Sequence, residues 1–109
     1  MWLISKKLLN NMLEEKANHD KMLVDLYKVL LSMETEEDCA MLLEDLCTFN
    51  EVNQMAQRVA AAKMLIEGHT YSQIIKDTDI SSATLSRVSR CVARGSGGYA
   101  KFLGAKKPD

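Results

Sequence analysis

Between Ser82 and Arg94 the chain alternates side chains that bind rather than react: small hydroxyls, then guanidinium groups. At about 100° per residue, Ser82, Ala83, Ser86, Arg87, Arg90 and Arg94 share one side of a helix. Leu85, Val88 and Val92 share the opposite side and should face a core. Small residues let a helix lie deep in a DNA major groove. Hydroxyls bond base edges or phosphates, and arginine pairs with guanine or phosphate. The unpaired N–H groups at the helix start attract a phosphate as well. This is the chemistry of nucleic-acid recognition, with no covalent bond made or broken.

Such a helix must be held at a fixed angle, and the residues before it predict how. The stretch 70–94, TYSQIIKDTDISSATLSRVSRCVAR, reads as helix, tight turn, helix, the layout of a DNA-reading helix-turn-helix. Thr70 with Gln73 predicts a capping box on the first helix. Ile74 and Ile75 supply its inward face. Thr78-Asp79-Ile80-Ser81 makes the turn, with Asp79 where glycine is common because the backbone is left-handed there. Ile80 plugs the space between the helices, and Ser81 caps the second. The alternative is a pair of amphipathic surface helices that bind protein or serve structure alone.

Other chemistry finds little support. Cys39, Cys47 and Cys91 are widely spaced with no CxxC pair, and His19 and His69 lie outside zinc-like spacing. Three reduced thiols in a cytoplasmic protein are predicted. The acids Glu36, Glu37 and Asp38 follow Thr35 as helix-start chemistry. No nucleophile–base pair, metal cluster or phosphate loop is visible, so neither enzymatic activity nor a cofactor or metal is predicted. The first residues hold no long apolar run and no small-residue cleavage site, so no secretory leader and no membrane span are expected.

At 109 residues, 47% apolar, with one proline, the chain suits one small helical domain. Its net charge of −1 conceals an asymmetry: residues 1–57 carry −6 and residues 58–109 carry +5. An acidic scaffold joined to a basic binding head is the implied arrangement.

Taken in order, residues 1–18 form a weakly helical arm in which Leu8, Leu9, Met12 and Leu13 make a short stripe and Trp2, Leu3 and Ile4 are apolar. Residues 19–33 repeat Met22, Leu23, Leu26, Tyr27, Leu30 and Leu31 at helical spacing. Thr35 caps a helix with Cys39, Leu42, Leu43 and Leu46 inward. Thr48 and Glu51 predict a capping box on a long helix ending at Gly68, with Val52, Met55, Ala56, Val59, Ala60, Met64 and Leu65 buried. Ala60-Ala61-Ala62 allows close helix approach. After GSGG at 95–98, a last turn should pack Tyr99, Ala100, Phe102 and Leu103 on the core, and 104–109 is a loose tail. The chain is all-α, with about six helices over a domain at 19–103. The early helices offer more apolar surface than one short chain buries, which shared burial in a homodimer would cure.

Residues 43–99 resemble the YerC/YecD family within the Trp repressor superfamily. The most specific pieces are DLCT at 45–48, QRV at 57–59, G-x-T-Y at 68–71, SSATLSRVSR at 81–90 and GSGGY ending at Tyr99. The resemblance implies an interlocked homodimer binding a palindromic operator in double-stranded DNA. It carries over Ser72, Gln73, Ser82, Ala83, Thr84 and Ser86 as DNA contacts, with Ala83 and Thr84 nearest the bases. The caps Thr70 and Ser81 and the basic Arg87, Arg90 and Arg94 complete the set. The two arginines of the Trp repressor's L-tryptophan site fall at Arg58 and Arg87. Its following glycine is Val88 here, and a serine that helps hold the ligand is Cys91. A valine in the ligand's space implies a filled pocket and a regulator that does not need tryptophan. Amino-acid or other small-molecule control at these four residues is the alternative, and an adaptor without DNA binding is another.

Overall fold

A computed structural model describes residues 5–104. Trp2, Leu3 and Ile4 of the arm, and the tail at 105–109, lie outside the described residues. The described residues form six helices and no strand: α1 (Lys6–Leu31), α2 (Glu36–Leu46), α3 (Phe49–Ile66), α4 (Tyr71–Thr78), α5 (Ser82–Arg94) and α6 (Gly98–Leu103). The chain divides into two compact units, Met1–Leu42 and Leu43–Asp109.

In the first unit, α1 is one unbroken helix, so the expected junction near residue 18 falls inside it. Ser5 starts it by accepting a hydrogen bond from the Leu8 N–H at 3.1 Å. None of its residues is buried, and only Leu23 and Leu26 are half-buried. Thr35 opens α2 by accepting from the Asp38 N–H at 3.0 Å, and Asp38 reaches back to accept from the Glu34 N–H at 3.1 Å. The acids there serve the helix start, as their spacing predicts.

In the second unit, α3 is the post on which the other helices hang. Its capping box is complete: Thr48 Oγ1 accepts from the Glu51 N–H at 3.1 Å, and Glu51 Oε1 from the Thr48 N–H at 2.8 Å. Those bonds to the ionised form hold the Glu51 carboxyl below its ordinary value. Gly68, at φ +92°, ends the helix just past its cap. The His69 N–H bonds the Met64 carbonyl at 3.0 Å and the Gly68 N–H bonds that of Leu65 at 3.1 Å, the paired closure that a left-handed glycine permits.

The core is Ala61, Ala62, Ile74, Ile80, Leu85 and Val88, with Met64, Leu65, Ile75, Val92, Tyr99 and Leu103 packed around it. This corrects the expected inward face of α3. Ala61 and Ala62 are the fully buried positions, whereas Met55, Ala56 and Val59 are exposed. The helix has two apolar sides, and α4, α5 and α6 cover only one. The other side, from Val52 to Lys63 with Leu43, lines an open apolar groove of about 490 Å³. Leu46 of α2 is also exposed rather than inward. On α6, spacing of four residues brings Tyr99 and Leu103 to the core and turns Ala100 and Phe102 away.

Leu85→Ala should cost about 2–5 kcal/mol, the range for emptying a fully buried leucine site, read as a lower melting temperature; an unchanged one would remove Leu85 from the core. Glu51 should add an acid-sensitive contribution. Its folded value is depressed, so the contribution is present above pH 4.5 and lost as pH falls through the lowered value. Urea midpoints at neutral and acid pH should therefore differ more for the natural chain than for Glu51→Gln.

Candidate nucleic-acid interface

The angle between α4 and α5 is set by hydrogen bonds and one apolar plug. Thr70 starts α4 by accepting from the Gln73 N–H at 3.2 Å. The expected capping box is only half formed, because the Gln73 side chain donates instead to Asp77 Oδ1 at 2.8 Å. That bond to a charged acceptor extends the side chain along the helix, away from the Thr70 N–H. Thr78 Oγ1 donates to the Ile74 carbonyl at 2.7 Å and accepts from the Ile80 N–H at 3.3 Å. Gln57 of α3 donates to the Thr78 carbonyl at 3.2 Å, tying the turn to the post. Asp79 sits at φ 60°, ψ 18°, the left-handed geometry expected of it. Ile80 is 2% exposed between the helices.

Ser81 then starts α5, accepting from the Thr84 N–H at 3.2 Å while its own hydroxyl donates to Thr84 Oγ1 at 2.9 Å. Leu85 and Val88 anchor the inner side, with Val92 half-buried. Ser82, Ala83, Ser86, Arg87, Arg90 and Arg94 are exposed together on the outer side, and Thr70, Ser72 and Gln73 are exposed on or just before α4. Thr84 stands apart from this set: it is half-buried and its hydroxyl is held by Ser81. Arg87, Arg90 and Arg94 line an open depression of about 520 Å³. No carboxylate lies within 4.0 Å of these arginines or of Arg58 among the described residues. Their charges are therefore available to an anion.

The four residues associated with an effector separate in space. Arg58 and Arg87 line one cavity of about 420 Å³ with Gln54, Gln57, Asp79 and Thr84. The Arg58 Nε–H is spent on the Gln54 carbonyl of its own helix at 3.2 Å. Val88 lies in the core and Cys91 lines a different depression, so neither wall of this cavity is theirs. Val88 faces the core, as its place in the inward stripe of α5 predicts, and the cavity between Arg58 and Arg87 is open. Thr84 and the two glutamines went unremarked in the sequence as cavity residues. They reach it from the face of α3 that carries Arg58 and from the first turn of α5.

Three comparisons bear on this arrangement. The model of the Trp repressor protein family matches residues 21–107. An uncharacterised Bacillus subtilis (strain 168) protein, YerC, is 43% identical over 83 residues, which is 76% of this chain and 80% of that protein. Among solved structures, a Staphylococcus aureus protein provisionally described as a Trp repressor superposes with a TM-score of 0.74 at 37% identity, over 76% of this chain and 83% of that one. A TrpR-like protein from Eubacterium eligens ATCC 27750 gives 0.74 at 34% identity, over 79% and 94%.

Asp79→Gly should raise stability by less than about 1 kcal/mol, since glycine adopts the left-handed conformation without a Cβ penalty but loses more chain entropy on folding. A clear drop in urea midpoint would mean that the aspartate side chain, and not the backbone, matters in the turn.

Proposed function

We propose that this chain, which belongs to the Trp repressor protein family, is a sequence-specific DNA-binding regulator that represses transcription as a homodimer. One observation carries the reading: an exposed strip of hydroxyls and of arginines with no carboxylate partner among the described residues, on a helix locked from behind by Leu85 and Val88. Phosphate contacts from Arg87, Arg90 and Arg94 and from the exposed start of α4 would set register. Ser82, Ala83 and Ser86 would meet base edges. Thr84, with its hydroxyl held by Ser81, would support the helix start rather than read a base.

A second copy of the chain is supported by the apolar surface left open. The groove along α3 and the exposed Met22, Tyr27, Leu30 and Leu31 of α1 are more than a monomer ordinarily shows to water. A two-fold dimer would present two α5 helices one DNA turn apart and favour a palindromic operator. Binding without tryptophan is supported by Val88 and Cys91, which stand where the Trp repressor has a glycine and a serine for its ligand. The cavity between Arg58 and Arg87 is open. That open cavity favours a second reading, in which a small carboxylate seated between the two guanidinium groups controls the same head.

DNA selection from a random pool, with and without L-tryptophan, separates these readings. A palindrome enriched equally in both arms is expected. Enrichment with tryptophan alone would establish the second reading, and a stable monomer on sedimentation at micromolar concentration would overturn the homodimer. Arg87→Ala/Arg90→Ala should weaken binding across sequences and reduce the salt slope by about one for each phosphate that is no longer neutralised; unchanged binding would exclude this face.

A further inference from the structure

Asp79 is the one residue other than glycine with a positive φ among the described residues, at 60°. Glycine holds that backbone without a Cβ penalty, so the side chain there needs its own account. The turn does not supply one. Its side-chain hydrogen bonds come from Thr78, Ser81 and, across from α3, Gln57, and the Asp79 carboxylate takes none of them. What the side chain does reach is the cavity of about 420 Å³ between α3 and α5, which it lines together with Arg58 and Arg87. Every other polar residue of that wall is neutral. Two guanidinium charges thus face one space with a single carboxylate among its lining.

The carboxylate stands farther than 4.0 Å from both arginines, so it locks neither of them. It leaves between them a space that an ion could enter, and sets a like charge beside any anion that does. Repulsion between unit charges a few ångströms apart changes affinity severalfold even where water reaches the site. We propose that Asp79 is the built-in counter-charge of the Arg58–Arg87 cavity and excludes free small anions from it. Aspartate tolerates the left-handed backbone better than most residues, so the turn can carry it. Without a carboxylate here, the two guanidinium groups would recruit phosphate, sulfate or a carboxylate from solution. Exclusion leaves the packing of α5 on α3 indifferent to the anions around it. This accords with a head that needs no effector and weighs against control by a small carboxylate. Anion affinity reads it whether or not the chain binds DNA.

The test titrates sodium sulfate into the isotope-labelled full chain, against sodium chloride of equal ionic strength. The Arg58 Nε–H, bonded to the Gln54 carbonyl, and the Gln57 and Thr84 amides report from the cavity wall by NMR. Asp79→Asn removes the charge while keeping a side chain that accepts the left-handed backbone. It should bind sulfate about three- to tenfold more tightly than the natural chain, with the shifts centred on those three residues. Asp79→Gly should do the same, which separates charge from side-chain size. Adding Arg58→Gln to Asp79→Asn should abolish the gain. Equal sulfate affinity in the natural chain and both single variants would overturn the proposal, as would a gain that survives Arg58→Gln. Glycine, a zwitterion, is titrated in parallel, and no binding is expected. Binding by the natural chain that is lost in Asp79→Asn would make the carboxylate a ligand for an ammonium group and overturn its role in exclusion.

Discussion

The approach of α5 to α3 is the constraint on which the rest of the second unit depends. Ala61 and Ala62 have no exposed surface, and the side chains that meet them, Ile74, Leu85 and Val88, are almost wholly buried. Alanine is what allows backbones to come this near. A larger side chain at either position would push α4 and α5 outward together, because the turn between them is hydrogen-bonded to α3 through Gln57. Packing density in a protein interior leaves little slack for such a shift. The aim of the exposed strip on α5 is therefore decided on the face opposite to it.

The turn converts that packing into an orientation. Asp79 reverses the chain with a left-handed backbone, Thr78 satisfies polar groups on both sides of it, and Ile80 fills the wedge. Ile80 is apolar, and Arg87, Arg90 and Arg94 stand on the outer side with no carboxylate within 4.0 Å among the described residues. The exposed charges of α5 are thus kept separate from the forces that hold the fold. The same division runs along the whole chain, with the acidic residues concentrated before residue 58 and the basic ones after it.

Apolar surface is distributed less evenly. The core holds few large side chains, and much of the remaining apolar area lies on α1, on α2 and along the open side of α3. Two of these surfaces differ in kind. The groove on α3 is a broad apolar channel, whereas the start of α1 is a narrow strip between ends of opposite charge.

Much of this was legible in the residues. Capping at Thr35, Thr48, Thr70 and Ser81 is local chemistry, settled within three or four residues of each helix start. So are the glycine stop at Gly68, the left-handed Asp79 and the inward stripe of α5. The sequence by itself thus determined an all-helical chain, most of its helix ends after residue 33, and the exposed strip of α5. The tertiary structure decided the rest. It chose Ala61 and Ala62 over Val59 and Met55, since periodicity tells which residues share a side but not which of two apolar sides meets a neighbour. It left the space between Arg58 and Arg87 open, since whether two helices enclose a cavity depends on how they lean against each other. And it brought the Thr84 hydroxyl to Ser81, since a side chain's partner depends on what the fold brings within reach.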